Sequence, residues 1–311
     1  MHSTAYCFLL PTAFAATLLN ASGPELGGCP VFPPDHVWNT PVDHLPLDRR
    51  SAQYVQSIGA GERLHPDFGA RTQEGIPYLV VPAGTPKVNI RLAHREESDP
   101  GPFPIPLGAP VEADGHPRSD RHVLVLEQGT CILYELYAAY PEVGGWKAEV
   151  AARFDLRGYT LRPPWWTSAD AAGLPILPGL VRYDEVAAGR IEHAIRFTAP
   201  RTRNEWIWPG RHRASSLADP ALPPMGQRFR LKASFDISRF SPEARVILQA
   251  LKIYGMMLAD IGGAWFLSGA PDFRWKAGTI EELKQVEGRD FEAVDVTPLI
   301  KDPNSGRVRP R

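Results

Sequence analysis

The chain carries 32 prolines and 27 glycines in 311 residues. Proline at this level is about twice its ordinary use of roughly 5%, and each proline removes a backbone donor and clashes with the preceding helical turn. A helical bundle or coiled coil finds no uninterrupted stretch in which to form. The 43% of residues that are hydrophobic, 10% of the total being aromatic, supply the apolar surface for a large core of short elements joined by turns. Lys and Arg number 34 against 35 Asp and Glu, a net charge of -1. Binding to nucleic acid or to an anionic membrane through bulk charge is therefore excluded.

Period-two alternation or short apolar runs bounded by Pro and Gly predict strands over 76–81, 88–92, 122–126, 132–138, 150–156, 191–198 and 229–237. Residues 30–46 read as an extended Pro-rich segment anchored by Val37-Trp38-Asn39-Thr40. Helices are few. Ser51 opens one that stops at Gly59, and Ser241-Pro242-Glu243 opens a second that stops at Gly255. A third falls near 279–286, and a hairpin is expected around Gly262-Gly263. The resulting expectation is a mainly β fold, an antiparallel β-sandwich or jelly-roll with a few appended helices. It places one domain over 24–300 and a flexible tail over 301–311.

An apolar stretch over 5–19 followed by Ala21-Ser22-Gly23 reads as a signal peptide covering 1–23, and so as export to the periplasm or the exterior. No segment of the mature chain is long and apolar enough to span a membrane. Once the leader is removed, Cys29 and Cys131 remain. They are either a disulfide, stabilising by up to ~4.7 kcal/mol in the chain-entropy model, or two unrelated buried thiols. Without a C-x-x-C pair a structural zinc site is not expected, and no metal ligand or cofactor is assigned.

The candidate chemistry starts from a hairpin. A tight turn at Gln128-Gly129 would place His122 directly opposite Glu135 and Asp120 opposite Tyr137, with His122 and Glu135 sharing a face with Leu124, Leu126 and Leu133. An imidazole facing a carboxylate is either a general acid/base pair or a structural hydrogen bond. Trp165 and Trp166 stand beside Asp170 in a loop of small residues, suited to stacking on sugar rings or to simple packing. Alternation puts His193 on an inward strand face, while Arg196 and Thr198 point the other way. Asp184 precedes that strand, and Trp208, His212 and Arg213 follow it. Residues 94–102 read as a solvated charged turn, and His65-Pro66-Asp67 as a turn. The chain lacks G-x-S-x-G, H-E-x-x-H, the Walker loop and G-x-G-x-x-G after a strand, which disfavours elbow-type serine hydrolases, zincins and nucleotide enzymes.

Cys29-Pro30-Val31-Phe32-Pro33, Val37-Trp38-Asn39-Thr40-Pro41, Asp120-Arg121-His122-Val123-Leu124-Val125 and the runs 166–186 and 225–238 resemble a family of secreted, functionally uncharacterised single-domain proteins of soil bacteria. The resemblance implies export and a single domain and transfers no catalytic residue. From the residues themselves, the expected function is a polysaccharide-active hydrolase or lyase. Glu135 with Asp170 or Asp184 would be the acids, His122 and His193 the base or orienter, and Trp165, Trp166, Trp208, His212 and Arg213 the substrate contacts. The alternative is a non-catalytic glycan-binding or cell-surface interaction protein.

Overall fold

The computed structural model describes residues 23–116 and 119–310. Apart from Gly23, the proposed leader lies outside the described residues. Strand exceeds helix. The largest sheet has six strands in the order Phe291–Ala293, Arg228–Leu231, Met256–Ile261, Ile195–Ala199, Phe266–Ser268 and His65–Asp67. A second has four, in the order Val150–Asp155, Ile132–Tyr137, Val123–Glu127 and Tyr78–Val81. A three-stranded sheet (Asn89–Leu92, Gly145–Ala148, Tyr140–Glu142) and a two-stranded one (Glu25–Leu26, Cys29–Pro30) complete the set among the described residues.

The fold is mainly β, as expected, but the sheets are mixed rather than antiparallel. Tyr78–Val81 runs parallel to Val123–Glu127, Ile195–Ala199 to Met256–Ile261, Phe266–Ser268 to His65–Asp67, and Asn89–Leu92 to Gly145–Ala148. Parallel neighbours need long connections, and a local apolar run carries no record of a partner so distant. The hairpin expected around Gly262-Gly263 fails for this reason: Ile195–Ala199 lies between Met256–Ile261 and Phe266–Ser268.

The six-stranded sheet has two unlike faces. Ile195 and Phe197 point to an apolar side, where Phe197 lies 5.4 Å from Phe229 and 5.7 Å from Trp265, and Trp265 lies 5.2 Å from Phe291. The helix Ser51–Ile58 buries Tyr54, Val55 and Ile58, and the helix Pro242–Ile253 buries Ile247, Leu248 and Leu251, in the same core. The second helix is capped by Ser241, whose hydroxyl accepts from the Ala244 N–H at 3.4 Å. It stops at Gly255, where φ is +66° and an added Cβ would meet the Phe229 carbonyl oxygen at 2.1 Å. A third helix covers Ala277–Leu283. Leu124, Leu126 and Leu133 of the four-stranded sheet enter this core as well, while Val123, Val125 and Tyr134 face a smaller cluster with Phe103 and Trp146.

Cys29 and Cys131 form a disulfide, with Cα atoms 5.4 Å apart, which ties the amino-terminal strand pair to the four-stranded sheet. Residues 301–310, expected as a flexible tail, run along the body. Trp208 Nε1 donates to the Ser305 carbonyl at 2.9 Å, the Val308 N–H donates to the Asp35 carbonyl at 3.0 Å, and Val308 is buried. Among the described residues no helix is long and apolar enough to cross a membrane.

Candidate functional site

The second face of the six-stranded sheet is polar, and a bulge completes it. Arg196 pairs with Met257 and Phe197 with Leu258; the register then shifts, so that Thr198 pairs with Asp260 and Ala259 is the extra residue. In regular alternation Asp260 would follow Met256 and Leu258 onto the apolar side. The bulge turns it instead onto the side of Arg196 and Thr198, where Arg196 Nη2 lies 3.4 Å from Asp260 Oδ2. The carbonyl of the bulged Ala259 accepts from the Ala172 N–H at 2.9 Å.

The Ala172 loop also holds the cations of the cluster. Asp170, fully buried, receives Arg196 Nε at 2.8 Å and Nη2 at 2.7 Å, and Arg196 Nη1 donates to Ser268 Oγ at 2.6 Å. One residue earlier, the Ala169 carbonyl accepts from His122 Nε2 at 2.9 Å. The other ring nitrogen, Nδ1, lies 2.7 Å from Glu112 Oε2. Both partners of the imidazole are acceptors, so both nitrogens carry protons and His122 is a buried cation. Burial alone would lower its pKa; the Glu112 charge and hydrogen bond reverse that and raise it to about 9. Glu112 is correspondingly held below the usual carboxylate range, the His122 cation outweighing burial.

Asp260 behaves in the opposite way. Burial and then the neighbouring Asp170 charge push its carboxyl up to about 7, against the pull of Arg196. Its side chain is nonetheless 20% exposed, so a proton held there can reach an incoming molecule. Asp67 also lies above the usual range, through burial first and then the charges of Glu112 and Asp120. Its carboxylate has no hydrogen-bond partner among the described residues. It lines a cleft of about 380 Å³ with His65, Gln73, Trp275 and Lys284. Two groups that lose their protons late, beside Glu112, which loses its proton early, form an arrangement suited to acid/base chemistry.

The sequence-predicted residues are distributed differently from expectation. The turn after Glu127 is two residues longer than supposed: Glu127 pairs with Ile132 and Leu124 with Glu135. Cys131, disulfide-bonded and at φ +55°, stays in the turn, and Thr130 Oγ1 closes it on Glu127 Oε2 at 2.8 Å. His122 and Glu135 therefore share a face but are not opposed, and they form no pair. His122 stacks obliquely on Tyr137, centroids 5.7 Å apart. Glu135 is fully buried and accepts the N–H groups of Ile176 at 2.9 Å and Leu177 at 3.0 Å, capping the short helix Leu177–Gly179. His193 is sealed, with Nδ1 donating to the Ala194 carbonyl at 2.7 Å and Nε2 lying 3.2 Å from Glu185 Oε2. Asp184 is 70% exposed and paired with Arg274 at 2.7 Å. Of the residues named as catalytic, His122 and Asp170 join the cluster, neither as a free acid or base, while Glu135, Asp184 and His193 lie outside it.

Trp208 is buried. Trp165 is 56% exposed, with Trp206 edge-on at 84° and 4.1 Å and the Arg213 guanidinium 5.5 Å from its ring. Trp166 lines a cleft of about 510 Å³ with Ile90, Leu92 and Arg95, and His212 Nδ1 donates to the Ala171 carbonyl at 2.9 Å. Asp67, Glu112, Arg196 and Asp260 escaped sequence reasoning as site residues. Only Arg196, a cation alternating with core residues in a strand, carried a readable signal. The chain matches no known protein family, no curated protein and no solved structure.

Proposed function

We propose that this protein is an exported hydrolase of glycosidic bonds in a polysaccharide, with Asp260 as the proton donor and an ionised carboxylate of the facing group as its counterpart. The observation that carries this reading is the bulge that turns Asp260, with its late-titrating and partly exposed carboxyl, into the charged cluster. Glycoside hydrolysis requires one carboxyl kept protonated beside another kept ionised. Lyase chemistry is less well supported, because it needs a cation to neutralise a uronate, and both cations of the cluster are already taken, Arg196 by Asp170 and His122 by Glu112. A glycan-binding platform is also less well supported, since Trp165 and Trp206 meet at 84° and offer no shared plane. The loop that carries Trp166 on a cleft also supplies Ala169 and Asp170 to the cluster, which joins an aromatic surface to the acid/base groups.

Release of reducing ends from a panel of polysaccharides tests this. Asp260→Asn should lower the rate by roughly 10²–10⁴-fold, whereas Asp184→Asn should leave it unchanged. Because the donor must be protonated, the wild-type rate should fall as pH rises through about 7. An Asp260→Asn enzyme as fast as wild type would remove the assignment.

A further inference from the structure

We propose that Glu112, Asp120 and His122 bind one divalent transition-metal ion, Zn²⁺ or Mn²⁺. One ligand atom from each residue lies within 4.8 Å of the other two. Asp120 and His122 stand two residues apart at the entry of the strand Val123–Glu127, and Glu112 is brought beside them by its contacts with the His122 ring and N–H. The His122 ring is oriented as metal-bound imidazoles are: Nε2 donates to a backbone carbonyl, that of Ala169, which leaves Nδ1 aimed at the two carboxylates.

A second observation is the surplus of negative charge. Asp67, partly buried and without a hydrogen-bond partner among the described residues, lies where the charges of Glu112 and Asp120 act against its own. Arg196 and His65 offset this only in part, the guanidinium of Arg196 being hydrogen-bonded to Asp170 and Ser268 rather than to these acids. Glu112 and Asp120 therefore share one imidazolium, with the Asp67 charge near enough to act against theirs, in a partly desolvated place where unbalanced charge is costly. A dication would replace the proton on Nδ1, which leaves to solvent, and would balance the carboxylates. An imidazole nitrogen among the donors favours Zn²⁺ or Mn²⁺ over Ca²⁺ and Mg²⁺, which prefer all-oxygen sets.

The test needs no substrate, so it can fail independently of the hydrolase reading. The full chain, stripped of metal by chelator and dialysis, is titrated calorimetrically with ZnCl₂ and with MnCl₂ in the presence of excess MgCl₂. One ion should bind per chain, and Asp120→Asn, at an exposed position, should weaken binding by roughly tenfold or more. Asp184→Asn should bind as wild type does. In parallel, the ¹⁵N signal of His122 Nδ1 in the wild-type protein should move on Zn²⁺ addition. Absence of saturable binding, equal affinity in Asp120→Asn, or an unmoved Nδ1 signal would overturn the proposal.

Discussion

Arg196 and Arg228 occupy one row of the same sheet, each paired with Met257 from opposite sides, and both are buried, at 5% and 1% exposure. Their partners differ completely. Arg228 meets only backbone carbonyls, those of Tyr254 at 2.7 Å and of Val37 and Thr40 at 3.3 Å, and burial pulls its pKa down to about 9. Arg196 meets two carboxylates and a hydroxyl; the Asp170 charge outweighs burial, so its pKa rises above the ordinary value. A buried cation is therefore not by itself the mark of a site. Arg228 staples the segment around Val37–Asn39 to the end of the long helix, a fixed mechanical role. Arg196 belongs to a set in which Asp260 changes charge near neutral pH.

The contrast can be broken by substitution. Arg196→Met would leave Asp170 as a buried carboxylate with its cation removed, and equilibrium unfolding in urea should show a loss of about 3–5 kcal/mol. Arg228→Met also removes a buried cation, but it leaves only carbonyls unbonded, and the loss should be about 1–3 kcal/mol. Equal losses would show that the acid set around Arg196 adds nothing to what carbonyls provide.

A smaller effect sharpens the same distinction between fixed and titrating groups. Burial pushes the Glu135 carboxyl up to about 7 although it caps two N–H groups. A folded-state pKa raised above the ordinary ~4.3 means that its contribution to stability is full at low pH and is lost as pH rises through about 7. Glu135→Gln keeps an acceptor and cannot ionise. Its melting temperature should therefore change less than that of wild type between about pH 5 and about pH 8. An unaltered pH profile would show that Glu135 does not titrate in this window.

Local features of the fold were legible, and non-local ones were not. The two longer helices were readable because their signals are local: apolar spacing, a glycine that must adopt positive φ and, for the second, the Ser241 cap. Ser51, expected to cap the first, lies inside it, and its hydroxyl accepts from the Ala293 N–H at 2.8 Å instead. The disulfide was readable as one of two readings of the cysteines once the leader was set aside. The face shared by His122 and Glu135 also emerged, since alternation survives a register shift of two. Their opposition did not, because turn length depends on Cys131 being held elsewhere by Cys29. Asp260 was the least legible. Its strand reads as apolar up to Ala259, and only pairing with a partner about sixty residues away introduces the bulge that exposes it to Arg196. Likewise, Asp67 looked like part of a turn because the strand it belongs to forms only by pairing with Phe266–Ser268.

The most direct measurement is a ¹³C-carboxyl NMR titration of Asp260, assigned by comparison with Asp260→Asn. Burial and the neighbouring Asp170 charge predict a midpoint near 7. A midpoint near 4, the value of an ordinary solvated aspartate, would mean that the cluster holds no proton donor at neutral pH, contradicting the assignment on which the hydrolase reading rests.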